Sequence, residues 1–199
     1  MANYIIVGLG NPGEEYVETR HNVGRMVLDA FVKTHDLSDF EFDKKLNALV
    51  TDGKFGKNKV TMIKPETFMN KSGDSVRSLI KSKKAAETLI VIHDDLDIPL
   101  GKMKISFNKS SGGHRGVESI MKAIKTEEFI RIRIGISAET ASGKIKKPQG
   151  EEKVIKAILG DFKKDEMPEL KKMIKKSVLA LEKVIADGWS VAASQLGNL

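Results

Sequence analysis

The sequence predicts a single compact α/β domain with a mixed β-sheet flanked by helices, and three observations carry that prediction. Strand-like apolar or alternating runs are interspersed with segments of helical periodicity. One pair of strands is joined by a glycine-containing turn, so part of the sheet is antiparallel while the helix-linked strands can run parallel. No linker, repeat or low-complexity tract divides the 199 residues, a length that supports a sizeable core in one domain.

In chain order, Tyr4–Val7 reads as a buried strand and Asn22–Lys33 as an amphipathic helix with Val23, Met26, Val27, Ala30 and Phe31 on one face. Leu46–Thr51 and Lys59–Lys64 are predicted strands around a hairpin connection at Asp52–Asn58. Ser75–Ser82 is predicted helical, with Val76, Leu79 and Ile80 inward. Thr88–Ile92 is a predicted short strand, apolar throughout after Thr88, the mark of a central strand covered on both faces. Lys102–Phe107 alternates Met103, Ile105 and Phe107 against Lys102, Lys104 and Ser106, and Ile130–Ile136 alternates isoleucines against Arg131 and Arg133. Val117–Ile124 is a short helix between them, and Val154–Leu159 is another short one. Glu169–Asp187 is a long helix with Leu170, Ile174, Val178, Leu181 and Ile185 inward. Glu139–Glu152 is the most loop-like piece.

Composition narrows the function classes. No apolar run is long enough to span a bilayer, and Tyr4–Gly10 is too short for a secretory signal. The absence of cysteine excludes disulfides, thiolate metal sites and cysteine nucleophiles, which fits a cytoplasmic protein. The net charge is +7; spread over the surface it serves solubility, and clustered on one face it points to a polyanionic partner.

Gly8-Leu9-Gly10-Asn11-Pro12-Gly13 satisfies G-x-G-x-x-G after a strand. A dinucleotide site needs those glycines to enter a helix directly. Here helical periodicity begins only at Val23, and no second strand ends in an acidic residue at the expected distance, since Asp29 falls inside the helical pattern. The segment is therefore read as a turn carrying functional groups, above all Asn11 and His21.

The chain has four histidines. His35 follows the first helix beside Asp36 and is expected on the surface. His21, His93 and His114 lie in or beside turn-rich segments at strand ends, where ligand sites of open α/β sheets gather. His93-Asp94-Asp95-Leu96-Asp97 admits three readings: a divalent-cation site, an aspartate that orients a distant histidine, or carboxylates that satisfy the turn towards Pro99-Leu100-Gly101. Phe68 and Met69, next to Asn70, are either core residues or part of a pocket that orients a polar group and accepts varied apolar ones. Ser110–Gly116 either presents backbone N–H groups to an anion or simply makes a turn. There is no Gly-x-Ser-x-Gly elbow, P-loop or metalloprotease histidine pair. The residues alone support a histidine-dependent hydrolase acting on an anionic substrate.

The set of motifs resembles the bacterial-type peptidyl-tRNA hydrolase family. It comprises Gly-Leu-Gly-Asn-Pro-Gly with Tyr16, Thr19-Arg20-His21-Asn22 and Gly24, then Thr67-Phe68-Met69-Asn70-x-Ser72-Gly73, then His93-Asp94-Asp95-Leu96-Asp97, then Gly112-Gly113-His114, in that order. The resemblance implies a monomeric α/β domain, here residues 1–199, with a twisted mixed sheet. It implies hydrolysis of the ester between an N-blocked peptide and the 3′ ribose of tRNA. His21 would be the general base on water, Asp94 would hold its imidazole, and Asn11 would monitor the peptidyl amide. Tyr16, Phe68, Met69, Asn70, His114 and Arg115 would contact the peptide or the acceptor end. Lys102, Lys104, Arg131 and Arg133 gain a purpose as phosphate contacts. No metal, cofactor, membrane or obligate protein partner is expected.

Two positions depart from the family pattern: Arg115 stands where asparagine is usual, and Ser106 where a basic residue is often found. Arg115 is expected to contact a phosphate and partly replace that cation, the alternative being a pair with Glu118. Two rival readings are a catalytically silent RNA-binding relative and an esterase for small acylated compounds.

Overall fold

The computed structural model describes residues 2–140 and 142–196. The chain runs β1 (Asn3–Gly8), α1 (Val23–Thr34), β2 (Glu41–Asp43), β3 (Ala48–Phe55), β4 (Asn58–Pro65), α2 (Lys83–Ala86), β5 (Leu89–Pro99), β6 (Met103–Phe107), α3 (Arg115–Ile124), β7 (Ile130–Ser137), α4 (Glu151–Ile158), α5 (Met167–Asp187) and α6 (Trp189–Leu196). Three 3-10 helices, Glu14–Tyr16, Arg20–Asn22 and Met69–Ser75, punctuate the loops.

The seven strands form one mixed sheet in the order β2-β3-β4-β1-β5-β7-β6. The middle four, β4-β1-β5-β7, are parallel, and β3, β2 and β6 add antiparallel edges. Both faces are covered, which explains the unbroken apolar run of β5: Ile90 and Ile92 pack towards α1 and α5, while Leu89 and Val91 pack towards α3 on the opposite face. Among the described residues no helix is long and apolar enough to cross a membrane.

Several expectations change in detail. Strands β3 and β4 extend to Phe55 and Asn58, so the hairpin closes through the two-residue turn Gly56-Lys57, with Gly56 at φ 56°. Strand β5 does not end at Ile92 but continues through the polar His93-Asp94-Asp95, because β7 keeps pairing with it through Asp95↔Gly135 and, after a register shift, again at Pro99↔Ser137. Ser75–Ser82 is not a helix. Val76 and Ile80 point inward as expected, at 0% and 6% exposure, but Val76 N–H and Leu79 N–H donate three residues back and only scattered four-residue bonds form. Gly73 is pressed against α3, where a Cβ would lie 2.2 Å from the Ser119 carbonyl oxygen, and regular helix begins afresh at α2 with Ser82 as its cap. His35 is not a free surface group: Nε2 lies 2.9 Å from Glu182 and the ring packs on Phe31 and Phe55. Strand β2 and helix α6, where Trp189 stacks on Phe107, complete the fold beyond the sequence reading.

The glycines of the first loop have a packing purpose. A Cβ on Gly8 would lie 2.5 Å from the Gly24 carbonyl oxygen, and one on Gly24 would lie 2.3 Å from that of Ile92. Helix α1 therefore starts directly on the backbones of β1 and β5, beside the carboxyl ends of the parallel strands. That contact fixes the approach of the turn holding His21.

Candidate active site

His21 lies in the 3-10 turn Arg20–Asn22, just before α1. The turn is tied down on its outer side: Arg20 N–H donates to the Gly160 carbonyl at 3.0 Å, and the Arg20 guanidinium meets Glu166 at 2.5 Å and covers Phe162. On its inner side Asn22 clamps the backbone of Asn11. Its Oδ1 accepts from Asn11 N–H at 2.8 Å and its Nδ2 donates to the Asn11 carbonyl at 2.9 Å. The Asn11 side chain in turn accepts from Met69 N–H through Oδ1 at 2.9 Å. A backbone N–H can only donate, so the orientation of this amide is fixed and Nδ2 is left as the donor on the cleft side.

Asp94 enters from β5, 2% exposed, and a single carboxylate oxygen gathers two rings: His21 Nδ1 at 2.8 Å and His114 Nε2 at 3.0 Å from Oδ1. Burial alone would raise this carboxyl. The N–H groups of His21 and His114 aimed at it, and the hydrogen bonds they make, outweigh burial and hold it well below the usual carboxylate range. Because Asp94 is ionised, both ring nitrogens donate to it. His21 therefore carries its hydrogen on Nδ1, leaving the Nε2 lone pair free.

His93, fully buried, donates through Nδ1 to the Asp94 carbonyl at 2.7 Å, and its Nε2 has no hydrogen-bond partner among the described residues. Burial first, then the neighbouring His114 and Arg131, push this ring well below the ordinary histidine range, against smaller opposing contributions from Asp94.

The cleft over these groups encloses about 440 Å³ and holds Asn11, His21, Met69, Asp94, His114 and Arg115 along its lining. Phe68, 60% exposed, and Asn70 stand at its rim. Its roof is α4, which turns Val154, Ile155, Ile158 and Leu159 towards the cleft without burying any residue. Two ion pairs fasten the roof to the body, Arg115–Glu151 and Lys147–Asp97, the latter at 2.6 Å.

Several expected site residues are placed differently. Tyr16 sits in the 3-10 turn Glu14–Tyr16, outside the cleft lining. Met69 lines the cleft, though only 5% exposed, and its backbone N–H donates to Asn11. Arg115 pairs with Glu151 rather than with Glu118, whose carboxylate accepts from Ser111. Arg131 is corrected as a phosphate contact: it is 2% exposed and donates to the Ser110 carbonyl at 2.9 Å. Burial, then Arg133, lower its guanidinium to about 10, against Asp95 and Glu127, so it stays charged at neutral pH. Arg133 binds Asp95 at 2.7 Å and Lys102 binds Glu139 at 3.1 Å. Lys104 is exposed and has no ion-pair partner among the described residues.

The divalent-cation reading of the acidic run is corrected as well. Asp94 faces the histidines, Asp95 faces Arg133 and Asp97 faces Lys147, so the three carboxylates do not converge. His21, Asp94 and His114 do offer ligand atoms within 4.8 Å of one another, but those atoms are hydrogen-bonded together, and a cation would have to displace both N–H bonds.

Sequence reasoning named Asn22 and His93 without giving them a role, and missed the α4 wall. Asn22 was signalled by its place beside His21 in the motif, and the wall by the apolar pairs 154/155 and 158/159 at helical spacing.

The family described as peptidyl-tRNA hydrolase matches residues 5–198. The chain is 43% identical over 182 residues to the peptidyl-tRNA hydrolase of Aquifex aeolicus, covering 91% of this chain and 89% of that protein. It is 41% identical over 179 residues to that of Bacillus subtilis, covering 89% of each. Among solved structures it is similar to a peptidyl-tRNA hydrolase in complex with n-propanol, with a TM-score of 0.86 at 29% identity over 98% of this chain and 94% of that one. The Acinetobacter baumannii peptidyl-tRNA hydrolase gives a TM-score of 0.85 at 29% identity over the same shares.

Proposed function

Because the chain belongs to the peptidyl-tRNA hydrolase family, we propose that it hydrolyses the ester joining an N-blocked peptide to the 3′ ribose of tRNA, with His21 as general base. The observation that carries this reading is the 2.8 Å bond from His21 Nδ1 to the ionised Asp94, which leaves Nε2 free beside Asn11. Nε2 takes a proton from water as the oxygen attacks the ester carbonyl. Asp94 supports the imidazolium formed, and the same proton passes to the departing ribose oxygen. The side-chain amide of Asn70 at the rim is suited to stabilising the tetrahedral oxyanion. Asn11 Nδ2 is suited to the peptidyl amide carbonyl, which would distinguish a blocked substrate from a free aminoacyl ester.

The apolar α4 wall and Phe68 fit varied peptide side chains, and the exposed Lys104 is available to phosphate. The activity would return tRNA to use from stalled translation in the cytoplasm, where that substrate is made. An RNA-binding module without activity has no use for the shared carboxylate, and a small-ester hydrolase needs neither the net charge of +7 nor the exposed Lys104. Turnover of purified N-acetyl-aminoacyl-tRNA against a free small ester tests the choice. Preferential cleavage of the tRNA ester is expected; equal rates would favour the esterase, and no turnover with retained tRNA binding the silent module. Asn11→Asp should narrow the preference for blocked over free aminoacyl-tRNA, and an unchanged ratio would remove Asn11 from that role.

A further inference from the structure

His114 is a ring without a free nitrogen. Its Nδ1 accepts from Val117 N–H at 3.3 Å, capping α3, and its Nε2 meets Asp94 Oδ1 at 3.0 Å. A backbone N–H cannot accept, so Nδ1 carries no hydrogen and Nε2 must carry the one that reaches Asp94. The ring also cannot swing out: its side chain is 8% exposed, His21 lies 5.0 Å away on one side and His93 4.7 Å away on another, centroid to centroid. A Cβ on the following Gly116 would lie 3.2 Å from the ring, so the helix start itself walls it in.

We propose that His114 is a positioning residue of the reaction, a neutral Nε2–H donor that shares one oxygen of Asp94 with His21, and not a ligand of peptide or tRNA. Two donors on one oxygen aim the carboxylate, and the second donor draws on the same negative charge that attracts a proton to His21. His114 and His21 thus compete for the same carboxylate oxygen. Removing the N–H leaves the whole charge to His21, so the acid limb of the rate profile moves to higher pH.

The other charged groups around His21 are engaged elsewhere. Arg20 pairs with Glu166, Arg25 with Glu66, Asp95 with Arg133, Asp97 with Lys147 and Arg115 with Glu151. Asp161, opposite Thr19 in an isolated bridge, lies on the outer side of the turn. His93 is kept neutral. The share of Asp94 held by His114 is thus the term that a substitution at 114 changes.

The kinetic arm of the test rests on the function proposed above; the spectroscopic arm does not. With N-acetyl-aminoacyl-tRNA, His114→Ala should move the acid limb of kcat/KM up by about half a pH unit or more, with KM within about twofold of wild type. His114→Gln, which returns an N–H near the Nε2 position, should restore the limb. A KM raised about tenfold or more over an unmoved limb would make His114 a substrate contact and overturn the proposal. In the free wild-type protein, ¹⁵N-histidine NMR should find His114 as the neutral Nε2–H form at pH 7, and the His21 Nδ1–H resonance should shift in His114→Ala. A doubly protonated or Nδ1–H His114 would overturn the proposal whatever the substrate proves to be. Should His114→Ala not fold, the glutamine variant and the wild-type spectrum still decide.

Discussion

Lowering the pH from 7 to 5 should cost this protein stability at one buried ring, and the amount follows from the surroundings of His93. Its Nδ1–H is spent on the Asp94 carbonyl, and Nε2 is buried without a partner among the described residues. A second proton would stand there as an uncompensated charge near His114 and Arg131. The native ring therefore stays neutral while the unfolded chain takes up a proton around pH 6.5. Below that pH the unfolded state binds more protons, so stability falls as pH falls. Integrating one proton with no native uptake between pH 7 and 5 gives about 2 kcal/mol. The control is His93→Asn, whose amide can still donate to the Asp94 carbonyl but cannot titrate. Its smaller side chain lowers stability at both pH values alike. Urea unfolding followed by fluorescence of Trp189, the one tryptophan of the chain, measures both proteins at both pH values. Wild type should lose about 2 kcal/mol more than the variant between pH 7 and 5. Parallel losses would mean that the native ring accepts the proton, and the reasoning from burial would fail.

Further outcomes follow from the same site. His21→Ala should lower hydrolysis by about 10²–10⁴-fold with tRNA affinity retained, and wild-type turnover would remove His21 from the mechanism. Asp94 carries the opposite pH signature to His93. Its carboxyl is held low, so the stability it contributes is complete above about pH 5 and is lost as pH falls below about 4. Asp94→Asn should therefore lose about 1 kcal/mol less than wild type between pH 5 and 3; equal losses would show that Asp94 gains nothing from the two rings. Glu151 competes with phosphate for Arg115. Glu151→Gln should strengthen tRNA binding, while Arg115→Asn should weaken it and reduce the salt slope by about 0.7–0.9; unchanged affinity in both would confine Arg115 to its ion pair.

What could be read from the sequence was whatever depends on near neighbours. The strand, turn and helix around His21 were legible because Gly8, Gly24 and the periodicity from Val23 lie within one short stretch. The pairing of His21 with Asp94, 73 positions apart, stood among three readings of the acidic run until the fold brought β5 beside α1. Alternation in β7 set Arg131 and Arg133 apart from the isoleucines, but a period of two says only that faces differ, not what covers each one. That is why Arg131 looked available and is buried. The same limit hid His114, whose partners come from β5 and from its own helix. The segment after Gly73 kept its inward face and lost its helix, since apolar spacing reports burial and not the hydrogen bonds beneath it.

Helix α4 has a consequence for the motions of the molecule. It buries none of its residues, and its N-terminal end is held by ion pairs whose partners are largely exposed. Exposed pairs of this kind each contribute about 0–1 kcal/mol. Opening the helix therefore uncovers little apolar surface and leaves the sheet and α5 intact. Its amides should exchange with solvent through a local event far below the global unfolding energy, while those of β1 and β5 exchange only when the whole domain opens. The cleft thus has one wall built on the buried sheet and another on a helix that buries none of its residues. The rigid wall keeps the reacting groups in register, while the soft one gives way to a chain of any length or bulk, so tolerance of the attached peptide and accuracy at the ester reside in separately melting parts of one fold.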